Sequence, residues 1–133
     1  MTKTAYGIGY SGRTADDLKR IVEELDGYLV DIRFTPHSRN PSFRKAALEA
    51  AFGDRYVYLR AFGNRNYKGG PVEIVDYEAG KAALEALDKP ALLLCVCRDP
   101  KTCHRTTVLQ RLAEDGFTVQ EWHEPGAQQL PLP

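Results

Sequence analysis

Three thiols, an imidazole and two guanidinium groups fall between positions 95 and 105: Cys95, Cys97, Arg98, Cys103, His104 and Arg105. Cys103 lies at the predicted start of a helix, beside two basic residues. A helix N-terminus and neighbouring cations both lower a thiol pKa, which suits Cys103 as a nucleophile. Arg105 would hold a bound anion; alternatively, His104 would serve as the general acid–base group. Two other readings stand beside this one. Cys95, Cys97, Cys103 and His104 offer four zinc-type donors, but zinc pairs normally come from C-x₂₋₄-C knuckles rather than a strand interior, so no metal is expected. Alternatively the cysteines are small core residues and His104 bonds the helix end. Adjacent residues at a helix start diverge by about 100°, so Cys103, His104 and Arg105 cannot all face one ligand equally.

Counting removes two familiar identities. A cysteine phosphatase needs a strand-ending cysteine, five cradle residues and an arginine. Six positions after Cys97 comes Cys103, and Arg105 arrives two residues late. A rhodanese-like loop fails too, because the next arginine after Arg105 is Arg111, inside the helix.

Two further segments carry polar groups suited to anions. In Gly9-Tyr10-Ser11-Gly12-Arg13-Thr14, a strand runs through a turn into a helix whose free N–H groups attract negative charge. It has neither the lysine of a P-loop nor the glycine spacing of a dinucleotide fingerprint, and an ordinary capped turn reads equally well. In the second segment, Asp31 and Arg33 point to one side of a strand end and can pair with each other. Arg33 and Arg39 could instead fork a phosphate, with Ser38 and Asn40 nearby. Asp31 reads as an orienter of arginine. The loop Asn64-Arg65-Asn66-Tyr67-Lys68 could stack a base, or simply be solvated.

The elements that must position these groups alternate. Strand candidates are Tyr6 to Tyr10, Tyr28 to Arg33, Arg55 to Leu59, Ala91 to Cys97 and Phe117 to Trp122. The helices between them include one with Leu18, Ile21, Val22 and Leu25 at i, i+3, i+4, i+7, capped by Thr14 or Asp16. A second runs from Phe43 to Phe52 with Ser42 as cap. A third covers Tyr77 to Leu87 despite Gly80, and a fourth His104 to Asp115. Alternation predicts an α/β fold: a three-layer α/β/α sandwich on an open, Rossmann-like, five-stranded parallel sheet. The uninterrupted apolar run Ala91 to Cys97 reads as an inner strand. The expected order is 3-2-1-4-5, preferred over 2-1-3-4-5. It brings the Ser11 turn beside the Cys103 turn at the C-terminal sheet edge, where such sheets bind ligands.

The chain has 133 residues, with Lys+Arg and Asp+Glu balanced at 18 each. One domain over 1–123 is expected, with 124–133 a flexible tail of prolines and glutamines. Zero net charge argues against a generic nucleic-acid binder but allows a local basic patch. Three closely spaced cysteines do not make a secreted disulfide framework. No apolar stretch reaches membrane-spanning length and no leader is recognised, so a cytoplasmic setting is expected.

Several separated segments together resemble the DUF488 family, small α/β domains without an established biochemical function. They are Ile8-Gly9-Tyr10-Ser11, Leu29-Val30-Asp31-Ile32-Arg33, Pro36-His37-Ser38-Arg39-Asn40-Pro41-Ser42-Phe43, Leu93-Leu94-Cys95, Asp99-Pro100 and Cys103-His104-Arg105. The resemblance implies a fold and a site rather than a reaction. Cys95, Cys103, His104 and Arg105 match its pattern, whereas Cys97 stands where the family usually has an acidic residue.

The expected site is therefore a pocket lined by Tyr10, Ser11, Gly12, Arg13, Asp31, Arg33, Ser38, Arg39, Asn40 and Arg105, taking a phosphate-bearing small molecule or nucleic-acid fragment. As an enzyme, the protein would be a hydrolase or transferase at a phosphoryl or glycosyl centre, using Cys103 and His104 and no cofactor. As a binding module it would use the same arginines without turnover. In a structural version the polar cluster is an internal ion-pair network, and function lies on an oligomer interface such as a homodimer.

Overall fold

The computed structural model describes residues 3–36, 38–96 and 103–122. Five strands, β1 (Thr4–Gly9), β2 (Tyr28–Asp31), β3 (Tyr56–Tyr58), β4 (Ala91–Cys95) and β5 (Thr118–Glu121), alternate with helices α1 (Ala15–Leu25), α2 (Lys45–Phe52), α3 (Tyr77–Glu85) and α4 (His104–Glu114). All strand pairings are parallel, as the alternation of strands and helices requires. The fold is α/β.

Strand order is β3-β2-β4-β1-β5, not the expected 3-2-1-4-5. The β1–β4 and β2–β3 neighbours are as expected; β1 and β4 have exchanged places. Burial explains the exchange. All five residues of β4 are buried, whereas the first residue of β1 and Tyr6 are only partly covered. The middle of the sheet goes to the strand that is apolar on both faces.

Alternation along β4 then builds two cores. Leu92 and Leu94 join Leu18, Ile21 and Val22 of α1 and Leu48 and Phe52 of α2. Ala91, Leu93 and Cys95 face the other way, onto Leu84 of α3 and Val108, Leu109 and Leu112 of α4. The result is the three-layer arrangement with one helix pair on each face.

Local chemistry sets the helix ends. Thr14 and Asp17 form a reciprocal capping box at α1: Thr14 Oγ1 accepts from the Asp17 N–H at 3.1 Å and Asp17 Oδ2 from the Thr14 N–H at 2.8 Å. Ser42 does not cap the second helix. Asn40 caps a short 3₁₀ turn, Pro41–Phe43, its Oδ1 accepting from the Ser42 N–H at 3.0 Å, and α2 starts only at Lys45. Pro41 presets the turn, which buries Phe43 before the helix begins. Gly80 sits inside α3 because the Phe62 ring packs there; a Cβ would lie 2.3 Å from the ring. Cys97, His37 and the 124–133 tail lie outside the described residues.

Candidate functional site

The chain ends of β1, β2 and β4 meet at one edge of the sheet. Beyond β1 the ladder continues for two residues, with the Tyr10 N–H donating to Cys95 O at 3.0 Å and the Ser11 N–H to Val96 O at 3.2 Å. The chain then reverses at Gly12, whose φ of +81° favours glycine. Across from this turn, the Ser38–Asn40 segment is pinned by its own bonds. The Asn40 N–H donates to Ser38 Oγ at 3.1 Å, and Arg44 Nε to Ser38 O at 2.9 Å. Between the two segments lies a cavity of about 510 Å³, lined by Tyr10, Ser11, Gly12, Arg13, Ser38, Arg39, Asn40, Phe43 and Val96. Tyr10 and Phe43 stack at 4.3 Å beneath it. Among the described residues, no carboxylate lines it. The start of α1 contributes less than its sequence suggests. Its capping box occupies the Asp17 N–H, and Asp16 and Asp17 place negative charge in its first turn. The cationic side chains lining the cavity are Arg39 and Arg13, whose Nε donates to Gly9 O at 3.1 Å.

Asp31 and Arg33 form an internal pair. Arg33 Nε and Nη2 donate to Asp31 Oδ1 and Oδ2 at 2.8 and 2.6 Å, and the Arg33 N–H adds a third bond to Oδ1 at 3.1 Å. The Tyr56 hydroxyl donates to Asp31 Oδ2 at 2.6 Å. Burial, and then that bond to Asp31, pushes the Tyr56 pKa far up, so it stays a donor. Arg33 lies 5.4 Å over the Tyr10 ring, and its Nη1 is buried with no hydrogen-bond partner among the described residues. Of the two alternatives for Arg33, the structure shows the pair with Asp31; Arg33 and Arg39 line separate cavities.

On the other face of the sheet edge a second cavity, of about 300 Å³, is lined by Arg33, Phe34, Thr35, Asn64, Tyr67, Cys95, Val96, Cys103 and His104. Val96 is the residue common to both cavities and is 47% exposed. Cys103 is the N-cap of α4 and makes no side-chain cap bond. His104 Nε2 lies 2.8 Å from Ile32 O. A carbonyl only accepts, so Nε2 carries the hydrogen and Nδ1 of the neutral ring is left as an acceptor. Nδ1 stands 3.9 Å from Cys103 Sγ. Burial lowers the His104 pKa, and nearby Arg105 lowers it further, against the carbonyl bond that raises it. Cys95 and Cys103 are joined as a disulfide, with the Cα atoms 7.6 Å apart.

Arg105 lines neither cavity. Its side chain is fully buried, with Nη2 2.6 Å from Glu121 Oε2 and Nε 3.0 Å from Oε1. Nη1 points elsewhere and donates to Cys95 Sγ at 3.0 Å. The side chain fits because Gly7 has no Cβ to obstruct it.

The expected site is thus divided. Seven of its residues share the first cavity, Arg33, Cys103 and His104 share the second, and Asp31 and Arg105 are internal. Sequence reasoning did not find Phe43 and Val96, nor the anchoring partners Tyr56 and Glu121. Only Val96, near the end of the apolar run, carried a local hint. Among the described residues no group of three or more His, Cys, Asp or Glu is placed to hold a metal ion. None of their helices is long and apolar enough to cross a membrane.

A parallel α/β sheet with polar loops gathered at its C-terminal edge defines the class. Residues 17–112 match the family described as Domain of unknown function DUF488, and the chain belongs to that family. Comparisons with curated proteins and with solved structures find no match.

Proposed function

We propose that the cavity between the Ser11 turn and the Ser38–Asn40 segment binds a phosphate-bearing ligand, a nucleotide or a nucleic-acid-derived fragment. One observation carries this reading: seven polar-site residues from two separate loops converge on a single cavity with two arginines and, among the described residues, no carboxylate in its lining. Its volume suits a small organic ligand. Arg13 and Arg39 supply charge for the phosphate, Ser11 and the Gly12 turn supply smaller donors, and the Tyr10–Phe43 stack supplies an apolar floor for a ring. Cys103 and His104 would reach such a ligand only across Val96. Turnover at a phosphoryl or glycosyl centre therefore requires one long enough to span both cavities.

Thermal unfolding with inorganic phosphate, nucleoside monophosphates and short oligonucleotides tests the reading. Saturable stabilisation is expected, approaching about 2.7 kcal/mol at a hundredfold excess over Kd. The Arg39→Ala variant should lose it. No stabilisation by any of the three, or full stabilisation of the variant, would overturn the reading.

A second reading applies to part of the cluster. Asp31 and Arg33 are each other's buried partner and the buried Arg105 pairs with the partly buried Glu121, which favours an internal ion-pair network for these three.

A further inference from the structure

We propose that Cys103 and Cys95 form a two-step thiol–disulfide exchange site in the second cavity, with a low-molecular-weight disulfide as substrate. This site is separate from the proposed phosphate cavity and does not depend on it.

Four observations carry the proposal. Both cysteines line the same cavity, which is large enough for more than a water. Their environments differ in the way attack and resolution require. Cys103 is the more accessible, at 5% exposure against 1% for Cys95, and it caps an eleven-residue helix. That helix start contrasts with the start of α1: it has no side-chain cap bond and no acidic residue in its first turn. His104 Nδ1, left as an acceptor by the Nε2 bond to Ile32, faces the Cys103 sulfur. Cys95 has a different activator. Glu121 engages Nε and Nη2 of Arg105, which orients Nη1 at the Cys95 sulfur and favours its thiolate.

The steps balance. His104 Nδ1 takes the Cys103 proton, and the thiolate attacks one sulfur of RS–SR′. The S–S bond breaks, RS⁻ leaves and receives the proton from His104, and Cys103 is joined to SR′. Cys95 then loses its proton beside Arg105 and attacks the Cys103 sulfur. R′S⁻ leaves and takes up that proton. Two protein thiols are oxidised to one disulfide and RS–SR′ is reduced to two thiols.

The test uses reduced full-length protein, oxidised glutathione as probe, acid trapping, alkylation and peptide mass mapping. In wild type and in Cys97→Ser, the proposal expects loss of two hydrogens and a Cys95–Cys103 cross-link. In Cys95→Ser,Cys97→Ser it expects glutathione retained on Cys103. Four outcomes overturn it: a persistent adduct in Cys97→Ser, first attachment at Cys95, a Cys97–Cys103 bond in wild type, or no reaction under conditions where the urea-unfolded chain reacts. The Cys97→Ser arm decides the matter even if the double variant does not fold.

Discussion

Arg105 lies directly across Gly7: a Cβ on Gly7 would stand 3.2 Å from Arg105 Cδ and 2.8 Å from Glu121 Oε1. The glycine is thus the space in which a buried guanidinium meets its carboxylate. The same added carbon would come within 2.8 Å of Leu109 Cδ1. Gly7→Ala should destabilise the protein by about 1–3 kcal/mol, the usual cost of overpacking. A lowered urea midpoint at constant m checks it; an unchanged midpoint would show that the pair tolerates displacement.

Asp31→Asn should cost more. It removes the only charge compensating Arg33 among the described residues while the guanidinium stays buried. Loss of one partner of a buried pair costs about 3–5 kcal/mol. Tyr56→Phe keeps the pair and should cost about 1 kcal/mol. Equal effects of the two substitutions, measured by chemical unfolding, would contradict the assignment of Asp31 as the pair's anchor.

Gly80→Ala inverts a propensity argument. In an exposed helix the change would gain up to about 1 kcal/mol. Here the methyl group would enter the Phe62 ring, which is fully buried. Net destabilisation is expected by calorimetry, and a raised Tm would show that the ring moves aside.

His104 should impose a pH dependence. Its folded pKa lies below the unfolded value, so below about pH 6.5 the unfolded chain binds a proton that the folded chain resists. Stability from this group is complete above that pH and declines as pH falls, by at most about 1.4 kcal/mol per unit. The groups facing the ring are the Ile32 carbonyl, Cys103 and Arg105. Urea midpoints at pH 7.5 and 5.5 should differ more for wild type than for His104→Gln, in which His37 and His123 remain. Equal differences would remove His104 as the cause.

The sequence carried the fold through periodicity but misplaced β1 and β4 in the strand order. Leu18, Ile21 and Val22 at helical spacing, and the wholly apolar run from Ala91, are local signals that survive any tertiary context. The places of β1 and β4 depend on pairings distant in sequence. A short strand containing Gly7 and Gly9 gives few side chains by which to judge its depth. That exchange has a functional consequence. With β4 between β1 and β2, Val96 emerges in the middle of the polar cluster and separates the Ser11–Arg39 group from the Cys103–His104 group. Arg105 is a related case. A basic residue at a helix start reads as a ligand group, and only the distant Glu121 and the empty space at Gly7 make it a core residue. The Asp31–Arg33 pair was legible because alternate strand positions share a face.

The central claim is that an anion binds between the Ser11 turn and Arg39. Amide chemical shifts of ¹⁵N-labelled protein, followed through a titration with inorganic phosphate and then a nucleoside monophosphate, test it most directly. Saturable shifts are predicted at Ser11, Gly12, Arg13, Arg39 and Asn40, lost in Arg39→Ala. Absence of saturable shifts at these amides, or saturable shifts confined to another surface, would contradict it.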